Sequence, residues 1–122
     1  MKNESGTVQK DPHYAGHRHR LRERFEKSGL QGFADYEVVE LLLTLAIPRS
    51  DVKQPAKDLI ARFGSLRSIL DAPLSELRAV PGLGEVAPIA LRIIRAEAEL
   101  YLQQRAEEHA HGVFAQPTER AV

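Results

Sequence analysis

Apolar residues recur along most of this chain at intervals of three and four, a spacing that predicts helices with little else between them. From about His17 to Ser28, Leu21 and Phe25 stand four apart as a narrow apolar stripe, and Gly29 is placed to stop the helix. A second helix is predicted from Asp35 to about Ile47. Asp35 is placed to cap it, and Glu37 and Glu40 suit its positive N-terminal end. The run Val38–Ile47 is apolar nearly all round, as expected of a central buried helix, and Pro48 ends it. A third helix should run from Ser50 or Asp51 to Phe63, with Val52, Ala56, Leu59, Ile60 and Phe63 on one face and Pro55 confined to the first turn. Gly64 closes it, Ser65 caps a short fourth helix, Leu66–Leu70, and Pro73 occupies the first position of a fifth. Leu74, Leu77 and Val80 form the inner face of that fifth helix. After Pro81-Gly82-Leu83-Gly84 comes a long last helix, from about Glu85 to His109, with Val86, Ala90, Ile93, Ile94 and Tyr101 on its inner side. No stretch shows the alternation of a strand. The expected fold is all-α, a small helical bundle of five to six helices over residues 15–108, between a polar leader, residues 1–14, and a polar tail, residues 109–122.

The two long helix pairs resemble each other. Ala46-Ile47-Pro48 followed by Pro55 matches Ala79-Val80-Pro81 followed by Pro88 at an offset of 33. Ala56, Leu59 and Ile60 match Ala90, Ile93 and Ile94 at an offset of 34. Each unit is a helix, a break containing proline, and a second helix, which predicts a tandem helix-hairpin-helix. In the second unit, Gly82 and Gly84 allow positive φ and close approach of another group, while Leu83 points inward and locks the turn. The following helix then presents its bare N–H groups at the hairpin tip, an arrangement that holds anions such as phosphate. The expected DNA-backbone contacts are Arg78, Gly82, Leu83, Gly84, Val86, Arg92 and Arg95. Glu85 opposes phosphate, and Pro88 removes one N–H. The first unit has Arg49-Ser50-Asp51 in place of the glycines, so its hairpin reads as degenerate, with Arg49, Lys53 and Lys57 still available.

Composition narrows the setting. The 122 residues carry 17 Lys plus Arg against 17 Asp plus Glu, which excludes a uniformly basic nucleic-acid binder. The zero is a sum over unlike segments: residues 17–30 carry +3, residues 49–95 carry +3 and residues 97–119 carry −4. A hydrophobic content of 43% supports a packed core. The absence of cysteine excludes disulfides and thiolate metal sites and makes a reducing, cytoplasmic location the expectation. No apolar run reaches the length of a membrane span, so no membrane partner is expected.

The first helix is a second candidate surface. Arg18, Arg20, Arg22, Arg24 and Lys27 outnumber Glu23 and Glu26, and the excess suits either phosphate contact or pairing with Asp35, Glu37 and Glu40. His17-Arg18-His19 and His109-Ala110-His111 lack a carboxylate at ligand spacing, and on a helix positions two apart face different ways. No metal, no cofactor and no catalytic residue is therefore expected. Each serine in the chain has a cap or turn explanation.

Gly16-His17-Arg18-His19-Arg20-Leu21-Arg22-Glu23-Arg24-Phe25, Ser28-Gly29, Asp35-Tyr36-Glu37 and Glu40-Leu41-Leu42-Leu43 resemble the start of the bacterial RadC (UPF0758) family of DNA repair proteins. So do Ile47-Pro48-Arg49-Ser50-Asp51-Val52-Lys53, Arg62-Phe63-Gly64-Ser65-Leu66 and Val80-Pro81-Gly82-Leu83-Gly84-Glu85. The segment Ala61–Leu66 leading to the hairpin is also similar to tandem helix-hairpin-helix domains of excision-repair nucleases. The resemblance implies a following JAB/MPN zinc metallohydrolase domain with an H-x-H, serine and aspartate signature, which neither histidine pair supplies. Residues 112–122 resemble the linker into such a domain, so the chain is expected to be the non-enzymatic N-terminal module of a RadC-like protein. Two functions follow as expectations. One is sequence-independent DNA binding through the hairpin. The other is a protein-interaction or regulatory module that positions a JAB/MPN domain or another protein.

Overall fold

The computed structural model describes residues 13–110, which are all helix and connecting turn. Six helices follow one another among the described residues: α1 (His13–Ser28), α2 (Asp35–Ala46), α3 (Lys53–Phe63), α4 (Leu66–Asp71), α5 (Leu74–Arg78) and α6 (Val86–Ala110). The expected leader and tail lie largely outside the described residues. Within them, α1 begins four residues earlier than the periodicity indicated and α6 runs on to Ala110.

α2 is the hub, packing against α1, α3, α4 and α6. Its Val39 and Leu43 join Val52, Ala56 and Leu59 of the α3 segment, Ile69, Ala72, Leu77, Val80, Leu83, Ala87 and Leu91 in one buried core. The hub is not enclosed on every side, however. Leu45 is 74% exposed, because the face of α2 beside α1 is left partly open. Phe25 of α1 is likewise 46% exposed, and Leu21 alone supplies the buried anchor of the predicted stripe.

Local boundaries follow turn chemistry. The Ser65 hydroxyl accepts from the Ser68 N–H at 3.1 Å and caps α4, as expected. Asp35 does not cap its own helix. Its carboxylate accepts from the Leu66 N–H at 2.9 Å, so it caps α4 across the bundle. α2 is capped instead from within, where Glu37 accepts from the Ala34 N–H at 3.0 Å. α3 starts at Lys53, whose N–H donates to the Asp51 carboxylate at 2.9 Å. Pro73 is the N-cap of α5, one position before its expected place.

The largest correction concerns α6. Its buried residues are Ala87, Pro88 and Leu91, and Val86 and Ile93, expected inside, are 62% and 61% exposed. Tyr101 is exposed as well. Leu83 is buried immediately before the helix and sets its rotation, so Ala87, Pro88 and Leu91 meet the core while Val86 and Ile93 face out. Burial also realigns the two units. Val52 and Ala56 are buried as Leu83 and Ala87 are, an offset of 31 rather than 33 or 34.

Candidate nucleic-acid interface

Gly82 has φ +84° and Gly84 φ +72°, the left-handed region in which a side chain is strained. A Cβ at Gly82 would stand 3.3 Å from Pro55 Cγ, so the turn also lies close against the first turn of α3. Leu83 is buried and the glycines on either side are exposed, which pins the turn from inside and presents its backbone outside. Among the described residues, the N–H groups of Gly82, Leu83, Gly84 and Glu85 donate to no main-chain carbonyl. Three of these donors, on Gly82, Gly84 and Glu85, belong to exposed residues next to the positive end of α6.

Two cations flank the turn. Arg78, Gly84, Glu85 and Ile89 line a depression on one side. Asp58, Ala61, Arg62, Val80 and Pro81 line another. Arg78 was expected here. Arg62 was not, because it lies on α3, far from the hairpin in sequence, and no local motif signals it. Val86 opens α6 at the same tip, and Glu85 stands exposed between the turn and the helix.

Arg92 and Arg95 share the hairpin's helix but turn away from its tip. Arg92 Nη1 donates to the carbonyls of Leu70 at 2.8 Å and Ala72 at 3.0 Å, satisfying the end of α4. Arg95 Nε donates to the Asp71 carboxylate at 2.7 Å, and its Nη1 lies 3.2 Å from Glu99. The Arg95 hydrogen bond holds the Asp71 carboxyl below its ordinary value, with further help from nearby positive charge.

α1 divides its cations in the same way. Arg18 is buried, and its guanidinium donates to the carbonyls of Thr44 at 3.1 Å, Ser50 at 2.7 Å and Ile47. It closes the C-terminal end of α2 and the turn after it. Arg24 donates to Glu37 at 2.8 Å and stacks over the Phe33 ring, 4.2 Å from its centroid. That hydrogen bond, with the Ala34 N–H second, lowers the Glu37 carboxyl below its usual range. Arg20, Arg22 and Lys27 stay exposed. His17 lies 3.0 Å from Glu40, which is 2% exposed, and His19 lies 3.5 Å from Glu23. Among the described residues no three His, Cys, Asp or Glu side chains converge as metal ligands, and no helix is long and apolar enough to cross a membrane.

The family model described as UPF0758 N-terminal matches residues 15–89. A UPF0758 protein of Fusobacterium nucleatum is 44% identical over 79 residues, which is 65% of this chain and 34% of that protein. The chain thus spans about a third of the length of that curated relative. No solved structure matches it. With a family match across more than half of its length, on a bundle whose described residues form helices and connecting turns, the chain belongs to the UPF0758 family and carries that family's N-terminal region.

Proposed function

We propose that this chain is a non-catalytic DNA-binding module of a RadC-like protein, which holds the phosphate backbone without reading bases. In this reading α5, the Gly82–Gly84 turn and α6 act as a helix-hairpin-helix in a cytoplasmic protein, with no cofactor. The observation that carries it is the set of bare N–H groups from Gly82 to Glu85 on an exposed turn, with Arg78 and Arg62 on either side. The site is small, so binding by one copy is weak. Arg92 and Arg95 support it indirectly, by fixing α6 against α4.

A salt titration with duplex and branched DNA tests the reading. Two neutralised phosphates give a slope near −2, so affinity should fall about tenfold between 50 and 200 mM salt. Gly82→Asp should remove binding, because it adds negative charge where the phosphate sits and a Cβ against Pro55. Absence of binding even at low salt defeats the proposal.

A second reading is favoured by a separate observation. Val86, Ile89 and Ile93 expose a run of apolar surface directly after Glu85, where phosphate contact would want cations. This suits a protein-interaction or regulatory module, one that in longer family members would position a JAB/MPN metallohydrolase domain. Association that is insensitive to salt and lost in Ile93→Asp supports it over DNA binding.

A further inference from the structure

A groove between α1 and α2 opens at the surface, lined by Phe25, Leu30, Val38, Leu41, Leu42 and Leu45, with Arg22 and Glu26 at its rim. Phe25, Leu30 and Leu45 are exposed, so the groove is a contiguous apolar face rather than a scatter of single side chains. The two helices run antiparallel: Arg24 meets Glu37 at 2.8 Å, and Arg18 reaches the Thr44 carbonyl at 3.1 Å. Phe25 and Val38 therefore share one level of the groove. Leu45, further along α2, lies about 10 Å from Val38 toward one end. Leu30 lies past the end of α1, toward the other. Arg22 and Glu26 stand one turn apart on α1. Among the described residues neither forms an ion pair or a side-chain hydrogen bond, even with the other. Their charges cancel, so the rim draws no strongly charged partner. One cation and one anion on a helix instead complement themselves under a two-fold axis.

From this self-complementarity we propose that the α1/α2 groove is the contact of a two-fold homodimer, in which each copy lays this face on the same face of the other. The axis crosses α1 between Arg22 and Glu26, at the level of Phe25 and Val38, so α1 lies antiparallel over α1 of the second copy. Arg22 of each copy then faces Glu26 of the other, and the dimer holds that pair twice. Phe25 and Val38 meet their counterparts near the axis. Leu45 of each copy approaches Leu30 of the other, because the two lie toward opposite ends of the groove. Six apolar residues make a small contact beside the roughly 20–30 residues a side of a standard interface, so the dimer is weak and reversible. None of the lining residues lies on α5, the Gly82–Gly84 turn or α6, and the inference is independent of DNA binding.

Sedimentation equilibrium across a range of protein concentrations tests it, with variants at positions already exposed in the monomer. The parent chain should dimerise reversibly. Leu45→Asp should weaken the dimer at least about tenfold, while circular dichroism stays unchanged. Arg22→Glu and Glu26→Arg should each weaken it about fivefold at low salt, because each sets like charges against each other at both ends of the two-fold contact. An equal mixture of those two variants should associate more tightly than either alone, since both contacts of the mixed dimer then join opposite charges. The double variant Arg22→Glu, Glu26→Arg should return to the parent affinity. These charge effects should fade as salt rises. A monomer at every concentration overturns the proposal and leaves the groove to a different protein. A dimer that Leu45→Asp leaves intact overturns it too, since the contact then lies elsewhere, as on the exposed face of α6. So does a mixture of the two charge variants that associates no better than either one, because the contact is then not two-fold through α1.

Discussion

The turn after α2 and the turn after α5 join similar helices and differ in what meets their carbonyls. In the first, Arg18 reaches from α1 and takes the carbonyls of Thr44, Ile47 and Ser50, while Asp51 takes the Lys53 N–H. Its carbonyls are taken internally, while the N–H groups of Arg49, Ser50, Asp51 and Val52 donate to no main-chain carbonyl. In the second, two glycines at positive φ replace the polar side chains, and the N–H groups from Gly82 to Glu85 likewise donate to no main-chain carbonyl. A shared helical frame therefore yields one turn whose carbonyls Arg18 closes and one glycine turn, the open one, that no side chain closes. The difference lies in whether a side chain arrives from elsewhere to satisfy the backbone. Both turns keep N–H groups without a main-chain acceptor, and they differ in that, among the described residues, no side chain bonds to the backbone of the glycine turn.

The comparison breaks most severely at Arg18. Arg18→Ala strands three partly buried carbonyls and should cost about 3 kcal/mol in chemical denaturation. If the two turns are separate devices, DNA affinity of the folded fraction should not change. Gly82→Asp is the counterpart in the open turn. It should cost about 1–2 kcal/mol in stability from the left-handed backbone alone, and it should remove DNA binding as measured by fluorescence anisotropy. Next in size, Arg78→Glu should weaken DNA binding about tenfold and flatten the salt dependence by roughly one contact, with the melting temperature nearly unchanged. Arg92→Ala should do the reverse, lowering the melting temperature with little effect on the salt slope, because its partners are the Leu70 and Ala72 carbonyls.

Smaller effects sharpen the same contrast between structural and exposed charges. Asp35→Ala removes the cap on α4 and should cost about 1 kcal/mol, read in thermal melts. Glu37 and Asp71 have lowered carboxyl values, so the folded state favours their ionised forms. Their stabilisation is present above the ordinary carboxylate range and is lost as pH falls through their lowered values. Melting temperature should therefore decline below about pH 4. In Glu37→Gln the decline should be slightly shallower, since partly exposed ion pairs contribute little each.

Much of the fold was legible along the chain. Pro48, Gly64, Ser65, Pro73 and the Gly82–Gly84 turn mark element boundaries to within a few residues, and the Val52, Ala56, Leu59 face of the α3 segment is buried as its spacing required. The hairpin turn and the inward Leu83 were legible for the same reason. Helix starts, stops and apolar stripes arise from interactions between residues three or four apart, and those are written locally.

Three matters were decided only by tertiary structure. α6 could have buried either the Val86–Ile93 stripe or the Ala87–Leu91 stripe, and periodicity favoured the first. Packing chose the second, because the buried Leu83 fixed the rotation of the helix. The arginines were legible as cations but not in their destinations: Arg18, Arg92 and Arg95 meet carbonyls or carboxylates twenty or more positions away. Arg62 joined the hairpin only because α3 lies beside it. Amino-acid order specified this chain's helices, its turn and its inventory of charge. Which charges close helix ends and which stay free for a ligand depended on the approach of segments distant in sequence, since an orphan carbonyl is satisfied by whichever donor packing brings within reach.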